Sequence, residues 1–400
     1  MAEFIKGGGS ILAFRLSAAG VNSVSGGTQS VDTTTKYELP FTTESFNPTG
    51  EFINSNAIAG GRSRGIGCIG NRAGDGSFDT EVTIGNFLWL MYGALGEVIE
   101  HEEIGALGAE INVPGKIVPS DGDLPEFSIY IQHGSSSDMS YQFDNCVINS
   151  LRMAFSSNAL LSASIDWAGK KLNTDQTGED FTALNFVTYS ASQIPICPIR
   201  IGTAITHYND VVWTGLGGLS TSFNLMPYIT GIEFTINNNL DTDTNALNAS
   251  GRLAILSGEF SVTGSLTLLM PDSSTSDLDI DAFYAFLRDM DVGTYFGDIE
   301  IKIFKTMDTT DPEQGDTDYE HYVLTLGNLY TTQPVHDIAD RGKVAYRIDF
   351  QATADPSGSL SGRTVYPIHL EYVNTEAAAD YVLMDSSTGT AMVEYTFKLI

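Results

Sequence analysis

The sequence predicts a mainly β protein in which one helix-bearing unit occurs twice. Short runs of β-branched and aromatic residues are broken by Gly, Asn, Asp and Ser, and glycine alone numbers 40 in 400 residues. That texture belongs to many short strands and turns. Helical periodicity is confined to two segments, one in each half of the chain. The pieces of the first half then recur, in the same order, in the second. A hydrophobic fraction of 42% is ordinary for a chain that buries a core, and this length allows about two or three domains.

Residues 1–36 are rich in Gly, Ser and Thr and read as an N-terminal arm, dispensable for folding, with one strand at 11–16. The first unit spans 37–182. Its helix begins at Ile84, where Ile84, Phe87, Leu88, Met91 and Leu95 follow i, i+3, i+4, i+7, i+11, and Gly96 is placed to end it. This stripe predicts a helix buried on one face, with Phe87, Leu88 and Met91 as core residues. Strands follow at 127–132, 146–155 and 160–167. Residues 183–227 read as a linker, with a loop at Gly215-Leu216-Gly217-Gly218.

The second unit spans 228–375. Its helix carries Ile280, Phe283, Tyr284 and Leu287 at i, i+3, i+4, i+7, behind a capping box at Ser276-Asp277-Leu278-Asp279. Phe283 and Leu287 are its expected core residues. Strands are predicted at 229–236, 260–269, 299–304, 321–329, 344–352 and 365–372. Residues 376–400 form a C-terminal arm whose last residues, 392–400, alternate like a strand.

The repeat rests on matched strings. Ala57-Ile58 before Gly61-Arg62 matches Ala246-Leu247 before Gly251-Arg252, and Ile84-x-x-Phe87 matches Ile280-x-x-Phe283. Residues 127–132 match 299–304, and Tyr141 to Ile148 match Tyr322 to Leu329. Ile165-Asp166-Trp167-Ala168 matches Ile348-Asp349-Phe350-Gln351. Element order persists while loop lengths change, which is how an internal duplication reads. Chance similarity among β-rich segments is the competing explanation.

No catalytic or metal constellation stands out. Gly61-Arg62-Ser63-Arg64-Gly65 satisfies G-x-S-x-G, but a nucleophile elbow needs a buried parallel strand before it and a helix after it. A turn whose Arg62 and Arg64 contact a neighbouring subunit fits better, with a hydrolase using Ser63 as a distant alternative. Gly65-Ile66-Gly67-Cys68-Ile69-Gly70 satisfies G-x-G-x-x-G, yet a turn-like run at Asn71 to Ser77 follows where a dinucleotide site needs a helix. Asp241-Thr242-Asp243-Thr244-Asn245 starts like a calcium loop but has Ala246 and Arg252 where that loop needs Gly and Glu. Asp308, Asp311, Glu313, Asp316, Asp318 and Glu320 read as a solvated acidic loop with a cation as the alternative. The six histidines lack metal spacing, and Cys68, Cys146 and Cys197 give neither a disulfide framework nor a zinc pattern. No cofactor, no metal and no enzymatic activity are expected. Neither a signal peptide nor a stretch of about 20 apolar residues is visible, so no membrane partner is expected.

The ordered strings Pro40-Phe41-Thr42-Thr43-Glu44-Ser45, the Gly–Arg turn at 60–65 and Leu88 to Gly96 resemble the front half of bacteriophage tail tube proteins from long, non-contractile tails. Tyr141 to Leu151 resembles the family's long strand, and Ser261 to Leu269 its counterpart in the second half. The resemblance implies two tail-tube-type antiparallel β-sandwich or β-barrel folds, each with one flanking helix, between N- and C-terminal arms. It implies a structural virion protein, assembled in the host cytoplasm, whose rings stack into the hollow tube that delivers the genome. A duplicated fold implies trimers with pseudo-sixfold symmetry; one enlarged fold per chain implies hexamers. Implied partners are the chain itself, the tape measure, tail terminator and distal tail proteins, and phage DNA passing without tight binding. The charge balance, 50 acidic against 20 basic residues and a net −30, suits a bore that DNA slides through, and equally suits solubility alone. Another self-assembling phage component, a minor tail, baseplate or capsid-decorating protein, is the alternative.

Overall fold

The computed structural model describes residues 10–16, 28–31, 36–53, 68–99, 116–133, 140–157, 159–173, 186–187, 207–214, 223–224, 229–244, 251–269, 287–288, 290–304, 321–340, 343–354, 365–373, 381–385 and 390–396. In chain order the first half gives strands β1 (Ile11–Leu16), β2 (Thr28–Val31), β3 (Lys36–Glu38), β4 (Thr43–Glu44), β5 (Asn47–Ile53) and β6 (Cys68–Glu81). Helix α1 (Ile84–Leu95) follows, then β7 (Gly96–Ile99), β8 (Lys116–Pro119), β9 (Phe127–Gln132), β10 (Ser140–Ser156) and β11 (Ser162–Asn173). The remainder gives β12 (Phe186–Val187), β13 (His207–Thr214), β14 (Phe223–Asn224), β15 (Ile229–Asn237), β16 (Ser261–Leu269), β17 (Tyr295–Phe304), β18 (His321–Asp340), β19 (Lys343–Ala352) and β20 (Ile368–Val373). The last two strands are β21 (Tyr381–Asp385) and β22 (Thr390–Thr396). The protein is mainly β, as its sequence predicts.

Strict alternation makes the central strands half-buried. In β11, Ala163, Ile165 and Trp167 are buried while Ser162, Ser164 and Asp166 are exposed. The same alternation runs through Leu151, Met153 and Phe155 of β10, Ile232, Phe234 and Ile236 of β15, and Tyr346, Ile348 and Phe350 of β19. These strands hydrogen-bond into one antiparallel sheet in the order β4/β5, β6, β11, β10, β15, β16, β19, β18. One face of it is core and the other is polar. By contrast, every residue of β9 is buried.

Two sets of strands share one pairing order. The first runs β1, β9, β10, β11, β6, β5; the second runs β13, β17, β18, β19, β16, β15. The registers agree residue for residue. Ile165 pairs with Leu151 and Phe78, and Ile348 pairs with Pro334 and Leu266. Trp167 lies between Ile148 and Gly76, and Phe350 between Thr331 and Gly264. Both long strands slip one residue at the same place, between Ile148 and Ser150 and between Thr331 and Gln333. Each also carries a left-handed asparagine at a bulge, Asn145 (φ 54) and Asn328 (φ 50).

The run Asn71 to Ser77, read from its glycines as a turn, is instead the middle of β6. The glycines serve close packing. A Cβ on Gly74 would sit 2.0 Å from the Phe143 ring, and one on Gly76 would sit 2.5 Å from Phe46 Cα. Glycine 264 is likewise crossed by the Phe350 ring.

Helix α1 starts and stops as expected. Thr83 caps it, with the Asn86 N–H donating to Thr83 Oγ1 at 3.3 Å and the Thr83 N–H to Asn86 Oδ1 at 2.8 Å. Gly96 closes it at φ 96. Its burial differs from expectation. Phe87, Leu88 and Met91 are buried, but so are Trp89, Leu90, Tyr92 and Ala94, leaving no solvent face there. From Asn86 to Leu95 every residue is buried, and apart from Asn86 that stretch is apolar all round and covered all round. Gly93 lies against Ile148 and Phe127, while Phe87 meets Tyr322 edge-on at 6.1 Å. Asn238, between the two strand sets, donates to Ala94 O (3.1 Å) and Ile148 O (2.9 Å). The helix is therefore a core element touching both halves. The structure gives one full helix among the described residues; of the predicted second, Leu287 is described and buried, whereas Phe283 lies outside the described residues.

Segments read as arms and linker contribute strands. β1 inserts Leu12, Phe14 and Leu16 into the core and pairs along the whole of β9. β13, in the stretch read as linker, holds the matching place on β17. β2 from the N-terminal arm joins β22 and β21 from the C-terminal arm in a separate three-stranded sheet.

Candidate assembly surface

The eight-position sheet presents two kinds of surface, a polar face and two lateral edges. On the face, period-2 alternation aligns Asp79, Glu81, Asp166, Glu233 and Asp349 with Arg152 and Arg347. One cross-strand row runs from β4 to β15. Thr43 Oγ1 donates to Asp79 Oδ2 at 2.6 Å, and Ser164 donates to the other Asp79 oxygen. Those hydroxyls, Ser164 before Thr43, hold the Asp79 carboxyl below the usual carboxylate range. Arg152 stands opposite Ser164 and reaches Glu233 Oε1 on β15, Nε at 2.9 Å and Nη2 at 2.8 Å. Arg347 Nε donates to Asp349 Oδ1 at 2.7 Å along β19. The two arginines are thus engaged by carboxylates, and the face stays net acidic.

The joint between the two strand sets is the pairing of β10 with β15. β9 occupies one side of β10 up to Cys146, and β15 takes over that side from Ser150 to Ser156. The backbone bonds at its two ends are Asn238 N–H to Asn149 O (2.8 Å) and Ser157 N–H to Thr230 O (3.1 Å). A second contact pins the halves nearby. Arg252 forks onto the Asp75 carboxylate, with Nη2 2.7 Å from Oδ2, and its Nη1 also donates to Gly169 O at 3.0 Å.

The two ends of the sheet are edges. β4/β5 pairs with β6 on one side, and among the described residues no strand pairs with its other side. Leu329 and Tyr330 have β17 on one side and β19 on the other. Beyond Thr331, whose N–H still donates to Thr294 O at 2.9 Å, β18 keeps β19, and among the described residues the β17 side has no partner. These edges escaped the sequence reading. Pro48 and Pro334 inside strands were their signal, since proline belongs on edges.

The sequence-predicted contacts Arg62 and Arg64, with Ser63, lie outside the described residues, as does the acidic loop at 308–320. Asp241 forms an isolated antiparallel bridge with Leu256, and its Oδ1 accepts the Asp243 N–H at 3.0 Å. Among the described residues no cluster of His, Cys, Asp and Glu could hold a metal ion, and no helix is long and apolar enough to cross a membrane. Cys146 is fully buried, and burial drives its thiol pKa well up, so it is inert.

A family model described as phage tail tube protein matches residues 17–352. The match takes in both strand sets except β1. No curated protein matches the chain.

Proposed function

The chain belongs to the phage tail tube protein family, a structural family of the virion tail, and we propose that three copies close each ring of the tube, six tube folds to a ring. The observation that carries this reading is the shared register of the two strand sets. Residues 37–182 together with β1, and residues 228–375 together with β13, supply the folds. A ring of six similar folds from three chains keeps each contact close to its neighbour in geometry. Six chains per ring is the alternative for a single enlarged fold.

The polar sheet face is the wall of the bore on this reading. Asp79, Glu81, Asp166, Glu233 and Asp349 supply its charge, and DNA passes because a net-acidic wall repels phosphate. The arginine pair Arg62 and Arg64 contacts the next subunit. Its support is Arg252, which shares the Gly–Arg string and bridges one half to the other at Asp75. The tape measure, tail terminator and distal tail proteins are its other partners on this reading.

A cross-section reconstruction of tubes formed by the purified chain tests this. Three chains per ring supports the reading and six overturns it. Carboxylate repulsion around the bore is screened by salt, so tube formation rises with ionic strength while DNA binding stays negligible at low salt. Tight DNA binding there overturns the repulsive wall.

A further inference from the structure

We propose that the joint between neighbouring subunits is a second version of the internal joint, made by adding the β4/β5 edge of one chain to the open side of β18 in the next. This inference rests on the ring reading and supplies its contact. Two observations lead to it. The internal joint pairs Ser150–Ala154 of β10 with Glu233–Asn237 of β15. The matched registers make Gln333–Asp337 the counterpart of Ser150–Ala154, and Ser45–Thr49 the counterpart of Glu233–Asn237. Among the described residues, these two counterpart segments are the lateral edges to which no strand pairs on the outer side.

The internal joint then dictates the register of the external one. Ser150↔Asn237, Arg152↔Thr235 and Ala154↔Glu233 translate to Gln333 opposite Thr49, Val335 opposite Asn47 and Asp337 opposite Ser45. Met153↔Phe234 translates to His336 opposite Phe46. The bonds at the ends of the internal joint fix which rungs exchange hydrogen bonds, because bonded and non-bonded pairs alternate. Met153–Phe234 is a bonded rung, so the Phe46 N–H points off the sheet towards the neighbour.

The external edges are guarded where the internal ones are not. The Phe46 N–H is held by its own neighbour's carboxylate, Glu44 Oε2, at 3.2 Å. Glu44 also meets His133 Nδ1, 3.6 Å from Oε1. The counterpart of Glu44 on β15 is Ile232, which has no such group. Pro48 and Pro334 lie opposite each other in the proposed register, at a rung where the internal joint has Ile236 opposite Leu151. Neither proline offers an N–H, so each edge is a poor template on its own. When the two edges meet in this register, the missing donors fall on one rung. Glu44 must release Phe46 as the neighbour docks, so the free subunit resists random edge pairing.

Paired cysteines test the register. Asp337 and Ser45 stand on a non-bonded rung, where Cα atoms approach to about 4.5 Å, within disulfide reach. Tubes of the double variant Ser45→Cys/Asp337→Cys, oxidised and run without reductant, are expected to give covalent dimers and trimers and nothing larger. Neither single variant should link. Asn47→Cys/Val335→Cys reads the neighbouring rung in the same way and stands in if the first variant fails to assemble. Tubes that link through Ser45→Cys/Val335→Cys in place of both pairs overturn the register. Tubes that link through none overturn the joint and leave the ring reading intact. A ladder reaching six chains keeps the joint and overturns the three-chain ring. A wild-type chain that forms no ring overturns both. Separately, Glu44→Ala should shorten the lag of tube growth followed by light scattering several-fold; an unchanged lag removes the guarding role.

Discussion

Arg252 and Asp75 lie in different halves of the chain, yet the guanidinium of one forks onto the carboxylate of the other, with Nη2 2.7 Å from Oδ2. The Arg252 N–H also donates to Lys170 O at 3.0 Å, and Gly251 allows that approach because a Cβ there would sit 2.5 Å from the same oxygen. Side chain and backbone thus pin one strand set onto the other beside their shared strand pairing.

Removing that fork should loosen the joint without unfolding either half. Arg252→Ala is expected to lower stability by about 1–2 kcal/mol, the discounted value for a partly exposed bidentate pair. Thermal melting measures it. A variant that melts like the parent would show the fork to be ornamental.

The all-round burial of α1 makes both polar and bulky changes costly. Leu88→Asp is expected to destabilise by about 3 kcal/mol or more, through a buried unpaired charge. Gly93→Ala tests the packing separately, since its Cβ would meet Ile148 Cδ1 at 2.7 Å. Overpacking of that kind costs about 1–3 kcal/mol. Denaturant midpoints read both, and a parental midpoint for Leu88→Asp would place the helix outside the core.

Deleting residues 1–36 should abolish cooperative unfolding. The deletion removes β1, and with it buried Leu12, Phe14 and Leu16 and the backbone partner of β9. Circular dichroism melting is the measurement. A sharp transition in the truncated chain would return β1 to the role of an arm dispensable for folding.

His369 should make the fold acid-sensitive. Burial, with Lys116 nearby, pushes its pKa from 6.5 down to about 4, and among buried atoms its Nδ1 has no hydrogen-bond partner. The unfolded chain therefore binds a proton first. The neutral histidine's contribution is complete above pH 6.5 and is lost as pH falls from there through about 4, by a total of about 3 kcal/mol. His369→Phe should flatten that part of the stability curve. A wild-type curve with the variant's slope between pH 6.5 and 4 would refute the assignment.

Much of the architecture was legible because alternation and repeated strings are local signals. Ile165-Asp166-Trp167 and Ile348-Asp349-Phe350 declared equivalent strands, and the structure gives them equivalent partners. The apolar stripe opening at Ile84 and the glycine at Gly96 marked a helix with its ends, while the Thr83 cap emerged only in the structure. What escaped was set by tertiary packing. The i, i+3, i+4 stripe of α1 drew attention from Trp89, Leu90 and Tyr92, which are apolar on the other side and find cover there. Gly74 and Gly76 looked like turn residues because the rings of Phe143 and Phe46 that need their space arrive from distant sequence. The edges were hidden for a different reason: an unfilled side of a strand is defined by its neighbours, and only Pro48 and Pro334 hinted at it.

The small sheet of β2, β22 and β21 has a temporal consequence. Thr28 pairs with Thr396, so β2 waits during synthesis for a strand that follows it at long distance in the chain. At roughly 5–20 residues per second of translation that wait lasts tens of seconds. Until then β2 has no described strand to pair with, while β1 can already dock on β9. A chain halted before β22 keeps most of its core strands but cannot close β2 onto β22. The fastening therefore registers that translation has passed β22, and a stop before it leaves a subunit marked by an open clasp.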